Sequence, residues 1–110
     1  MAENKDYMSK ELENGALHIN EDVITTVAVA ALKDVEGVVS LRGDRKGLHV
    51  ILGDDAVAIE CGLVVLYGQS VVGIAKNVQN AVTNAVESMT GLKVSRVDVN
   101  VTGISMGKLG

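Results

Sequence analysis

Hydrophobic positions along the chain follow two patterns, one with a period near 3.6 residues and one that alternates, and the switches between them divide the sequence into elements. From Glu21 to about Val35, the apolar residues Val23, Ile24, Val27, Ala28, Ala31, Leu32 and Val35 trace one face of a helix. Asn20 is a good N-cap for it, Glu21 and Asp22 complement the positive end of the helix dipole, and Gly37 is placed to close it in a left-handed conformation. A second helix is predicted from Ser70 to Thr90, with Val71, Ala75, Val78, Val82, Ala85 and Met89 as its buried stripe and Gly91 as its C-terminal cap. Strands are predicted at Ala16 to Ile19, Gly47 to Leu52, Ala56 to Tyr67 and Leu92 to Ile104. In the last strand, Val97, Val99 and Val101 alternate with Arg96, Asp98, Asn100 and Thr102, as in a sheet with one buried face and one wet face. Gly53-Asp54-Asp55 has the residue types of a tight turn, so the second and third strands should pair antiparallel.

The resulting order is β-α-β-β-α-β. Right-handed crossovers in both halves place the two helices on one face of a mainly antiparallel sheet, giving an α+β fold, a two-layer α/β sandwich. Because the first strand is short, a three-stranded sheet is the alternative. The halves resemble each other, since Ala31 to Val38 matches Ala85 to Leu92 at every apolar position and at the glycine. Residues 1–14 show no sustained apolar period and read as a flexible N-terminal tail, 15–106 as a single domain, and 107–110 as a frayed C-terminus.

Composition narrows the function classes. The 110 residues are 47% hydrophobic but only 2% aromatic, with no Phe, Trp or Pro, so the core must be built from Val, Ile, Leu, Ala and Met. Two Tyr cannot form the stacking platform of a single-strand binder, and a net charge of -4 is the opposite of a phosphate-binding footprint. Nucleic acid is therefore not an expected partner. The N-terminus carries no apolar signal segment and no apolar run is long enough to cross a bilayer, so a cytoplasmic protein without direct membrane insertion is expected.

Candidate chemistry is sparse. Cys61, the one cysteine, shares strand parity with Val57, Ile59, Leu63 and Val65 and reads as a core residue. His18 and His49 do not make a metal site, and Asp54 with Asp55 is explained by the turn. No catalytic constellation, metal site or cofactor site is assembled, so the chain is not expected to be an enzyme. Arg42, Arg45 and Lys46, with Gly43 and Gly47, form the single basic segment, a solvated loop by default and a candidate contact for an acidic partner. Its Gly-x-x-x-Gly spacing does not fit the backbone clamp of KH domains.

Two surfaces are better candidates. The outer face of the sheet should show Glu60, Gly62, Arg96, Asp98, Asn100 and Thr102, without stacking aromatics, while Val64 and Leu66 share the parity of Glu60 and offer an apolar seat for a partner or second subunit, or for a terminal segment. On the second helix, Gly73, Asn77, Asn80, Asn84 and Glu87 fall on one line away from the apolar stripe. Asn is a poor helix former beside Lys, Glu or Gln, so either tertiary packing tolerates it or a partner uses an amide surface that carries no charge to desolvate.

Several segments together resemble the alkaline shock protein family of Gram-positive bacteria. They are Leu17-His18-Ile19, Glu21-Asp22-Val23-Ile24, Val35-Glu36-Gly37-Val38, Tyr67-Gly68, Val78-Gln79, Met89-Thr90-Gly91-Leu92 and Val97 through Ile104. The resemblance implies a non-catalytic stress-response protein acting as a scaffold or adaptor in cell-envelope homeostasis. It implies a protein partner, in some members a membrane-anchored one that recruits the protein to the inner face of the membrane, and it leaves homo-oligomerisation open. Many members carry a longer, often basic insertion where this chain has only Arg42 to Lys46. A small-molecule or RNA-binding regulatory domain is the competing reading.

Overall fold

The computed structural model describes residues 7–41 and 47–106. Its elements in chain order are β1 (Tyr7–Leu12), β2 (Gly15–Asn20), α1 (Glu21–Lys33), β3 (Val38–Leu41), β4 (Leu48–Leu52), β5 (Val57–Leu66), α2 (Val71–Thr90) and β6 (Val94–Ser105).

The strand at the centre of the fold is β5. Every second residue along it, Val57, Ile59, Cys61, Leu63 and Val65, is fully buried, because this face meets the helices. Along one edge β5 pairs in parallel with the whole of β6. Its other edge is shared by two antiparallel strands placed end to end, β4 opposite Val57 to Cys61 and β3 opposite Leu63 to Val65. The turn between β4 and β5 closes with a hydrogen bond from the Gly53 N–H to the Ala56 carbonyl, 2.9 Å. Two register shifts along β6 insert an extra residue, and hydroxyl residues occupy both places. Ser95 donates to the Val57 carbonyl at 3.3 Å and Thr102 to the Leu63 carbonyl at 3.2 Å, so the bulges leave neither acceptor bare.

Both helices pack on the same face. Helix α1 starts where Asn20 Oδ1 accepts the Asp22 N–H at 2.7 Å, and α2 starts where Ser70 Oγ accepts the Gly73 N–H at 3.1 Å. Ile24, Ala28 and Leu32 from α1 meet Ile74, Val78, Val82 and Val86 from α2 in one core. Burying each of the larger of these side chains contributes about 1.5–3 kcal/mol. The two-layer α+β sandwich expected from the sequence is the observed architecture, as are the β4–β5 hairpin, the Ser70 to Thr90 helix and its Gly91 cap, which adopts φ 75°.

Four details differ. Tyr7–Leu12, expected to be tail, forms a strand paired with β2 in a separate two-stranded sheet, so the first expected strand does not join the main sheet. Lys10 and Leu17 are cross-strand partners, and β1 is held by this backbone ladder without an apolar period of its own. An additional strand, β3, fills the second half of the β5 edge. Helix α1 ends at Lys33 with Asp34 as its cap, and Gly37 lies beyond it, where φ 96° turns the chain into β3. Finally, the buried row of α2 is Ile74, Val78, Val82, Val86 and Thr90, spaced strictly by four along a packing ridge. Val71 and Met89, in the terminal turns, are 38% and 72% exposed. Thr90 is tolerated inside because its hydroxyl donates to the Val86 carbonyl and accepts the Leu92 N–H.

Candidate interaction surfaces

The outward row of α2 is an amide surface. Asn77, Asn80 and Asn84 are exposed and lie opposite the buried ridge, and the 20-residue helix carries only Lys76 and Glu87 as charged side chains. The two ends of the row that the sequence suggested have structural employment instead. The Gly73 N–H is held by Ser70, and Glu87 is half-buried with Oε2 accepting the Val94 N–H at 2.9 Å.

A side chain not singled out by the sequence does similar work. Gln79 Nε2 donates to the Val97 carbonyl at 3.0 Å. Glu87 and Gln79 thus reach from α2 to backbone groups in the first half of β6. Nothing in the pattern distinguishes Gln79 from a solvated helix residue, because its partner is on a strand 18 residues away.

On the sheet face away from the helices, Val64 and Leu66 are half-buried, and among the described residues the N-terminal strand β1 is paired with β2. Toward the other end of β5, Arg96 lies between two carboxylates, 2.8 Å from Asp98 and 3.5 Å from Glu60. Its hydrogen bond to Asp98, and then the charges of both acids, raise the guanidinium pKa further. One cation between two anions leaves this cluster acidic, which opposes phosphate binding. Gly62, Asn100 and the exposed Thr102 lie on the same face, which shows no aromatic side chain among the described residues.

Cys61 is buried, with Sγ 3.6 Å from the Asp98 carbonyl, and burial followed by the Asp98 charge pushes its pKa from 9.0 up to about 11. A thiol held protonated in the core is a packing group. His49 is exposed on β4, and the His18 Nδ1 lies 2.8 Å from the Ser9 hydroxyl on the β1–β2 hairpin. Among the described residues, no group of three or more His, Cys, Asp and Glu is placed to hold a metal ion, and no helix is long and apolar enough to cross a membrane. Asp54 and Asp55 are exposed in the β4–β5 turn. A shallow groove beside them is lined by Lys10, Glu11, Asp54, Asp55 and Lys93, two cations among three anions. The basic segment Arg42, Arg45 and Lys46 lies outside the described residues.

Comparisons with known proteins agree with the architecture. Residues 9–106 match the model of the alkaline shock protein 23 family, described as having a cell envelope-related function. The chain is 29% identical over 104 residues to the uncharacterized protein YqhY of Bacillus subtilis (strain 168), covering 82% of this chain and 77% of that one. It is 28% identical over 115 residues to the uncharacterized protein YloU of the same strain, covering 88% of this chain and 96% of the other. A stress response regulator gls24 homolog of Streptococcus pyogenes serotype M3 is 28% identical over 114 residues, covering 87% of this chain and 64% of the relative. Among solved structures, MamM CTD superposes with a TM-score of 0.55 at 17% identity, covering 76% of this chain and 99% of that one. A zinc form of MamM CTD gives the same score and identity with 80% and 90% coverage. At that identity the likeness is one of fold.

Proposed function

The chain belongs to the alkaline shock protein 23 family, whose function is cell envelope-related, and from that premise we propose that it is a non-catalytic adaptor that binds a protein partner through the outward face of α2. The observation that carries this reading is the exposed row Asn77, Asn80 and Asn84 on a helix whose charged side chains are limited to Lys76 and Glu87. Carboxamides both donate and accept hydrogen bonds, so such a row mates with backbone or polar side chains without stranding a charge in the interface. Val64 and Leu66, on the sheet face away from the helices, offer a second, apolar contact. The protonated, buried Cys61 supports a role without nucleophilic chemistry. In this proposal the protein works in the cytoplasm and reaches the inner face of the membrane by binding an anchored partner.

The test compares the wild type with the Asn77→Lys/Asn80→Lys/Asn84→Lys variant as baits on cytosolic and detergent-solubilised membrane fractions. Exposed substitutions change stability by no more than about 0.5 kcal/mol each, so the variant should fold, as circular dichroism would verify. A partner held by the wild type and lost by the folded variant is the expected result. Equal recovery by both refutes the assignment of the α2 face.

A further inference from the structure

The edge of β6 that faces away from β5 is guarded along only half its length. Backbone groups of a strand point alternately to its two sides. The Val97 carbonyl is bonded by Gln79 and so faces away from β5, while the Asp98 carbonyl meets Cys61 Sγ and faces toward it. No register shift intervenes before Val101, so the N–H and C=O groups of Val99 and Val101 also point outward. Among the described residues no strand pairs with that edge.

The unguarded stretch Val99-Asn100-Val101-Thr102-Gly103-Ile104 is uncharged, free of proline and rich in β-branched residues. Soluble proteins interrupt such an edge unless a strand is meant to join it. Exposed apolar side chains flank it: Ile104 is 55% exposed and Met106 61%, and Val72, on the same helical row as Gln79, is 63% exposed.

We propose that this edge pairs antiparallel with the same edge of a second copy of the chain, about a two-fold axis at Asn100. The register is self-complementary. Val99 of each copy faces Val101 of the other, so both outward N–H and C=O groups of each residue are satisfied. The two Asn100 side chains meet at the axis, where each carboxamide donates to and accepts from its twin. Asp98, at the end of the paired stretch, lies opposite uncharged Thr102, so no like charges are opposed. The ladder also has natural ends: beyond it Val97 is occupied by Gln79, and the Thr102 bulge breaks the alternation. Two sheets thereby become one, and the α2 helices of both copies lie on the same side of it.

Sedimentation equilibrium of the full chain across a concentration series tests this directly. The wild type should be a dimer. Asn100→Asp, at an exposed position, should fold and raise the dimer dissociation constant by at least about tenfold by opposing two carboxylates at the axis. Asn100→Lys should do the same alone, and an equimolar mixture of the two variants should recover a heterodimer, which a loss of folding would not do. A wild type that stays monomeric to its solubility limit, or an Asn100→Asp variant that dimerises like the wild type, overturns the proposal. Neither outcome bears on capture by the α2 face.

Discussion

Replacing Gly37 with alanine isolates how tightly the α1–β3 corner is packed against α2. The backbone there has φ 96°, a region that costs an L residue about 1–2 kcal/mol. A Cβ at this position would also stand 2.7 Å from Ile74 Cδ1, 2.8 Å from Gln69 Oε1 and 2.9 Å from Ile74 Cγ1. Gln69 is exposed and can swing away, but Ile74 is 4% exposed and fixed in the core. Overpacking of this kind costs about 1–3 kcal/mol, giving a total of about 2–5 kcal/mol. Domains of this size lose about 4–8 °C per kcal/mol, so Tm should fall by at least about 8 °C in thermal denaturation followed by circular dichroism. Gly68→Ala supplies the control, since Gly68 has a similar φ of 99° with nothing within 4 Å of the added methyl, and should show the backbone cost alone. Ile74→Val, which removes the Cδ1 atom, should cost about 0.5–1.5 kcal/mol in the wild type and little or nothing in the Gly37→Ala background. Equal losses of Tm for Gly37→Ala and Gly68→Ala would refute the steric part of the argument.

Val82→Asp should leave the domain unfolded or nearly so, because Val82 is fully buried and an unpaired carboxylate there costs several kcal/mol; a urea transition like that of the wild type would show the α2 ridge to be wrongly placed. Cys61 gives a pH dependence with a defined sign. Its folded pKa is raised from 9.0 to about 11, so its contribution to stability is complete below pH 9.0 and is lost as the pH rises through about 11. Urea midpoints measured across that window should fall more steeply for the wild type than for Cys61→Val, and parallel slopes would contradict the burial argument.

The main sandwich was legible in the sequence wherever one residue's neighbours along the chain decide its fate. Asn20 and Gly91 act within a single turn, and their roles as caps follow from residue type and position. Strand β5 was equally plain, because a continuous alternation of Val57, Ile59, Cys61, Leu63 and Val65 buries one face wherever its partners lie. The misjudged elements depend on distant partners. Tyr7–Leu12 is a strand only because β2 pairs with it, and β3 because the second half of β5 offers it an edge. The internal repeat was informative in part: Gly37 and Gly91 both take positive φ and Leu32 and Val86 are both buried. Val35 and Met89 nevertheless diverge, since α1 stops earlier than α2. Among the candidate surface residues, the periodicity placed Asn77, Asn80 and Asn84 on the outward row, but periodicity carries no information on Glu87 and Gln79, whose partners are backbone groups of β6.

The end-to-end placement of β3 and β4 gives the fold a port for evolutionary growth. Leu41 pairs with Leu63 and Leu48 with Cys61, so the chain leaves the β5 edge and rejoins it only two residues further along. Each strand takes its register from its own stretch of β5, and neither depends on the length of the connection between them. Doubling that connection costs only about 0.6 kcal/mol of loop-closure entropy. A charged excursion, a recognition motif or a small inserted domain added at this point would change what the protein contacts while the two registers, and the core behind them, stay as they are.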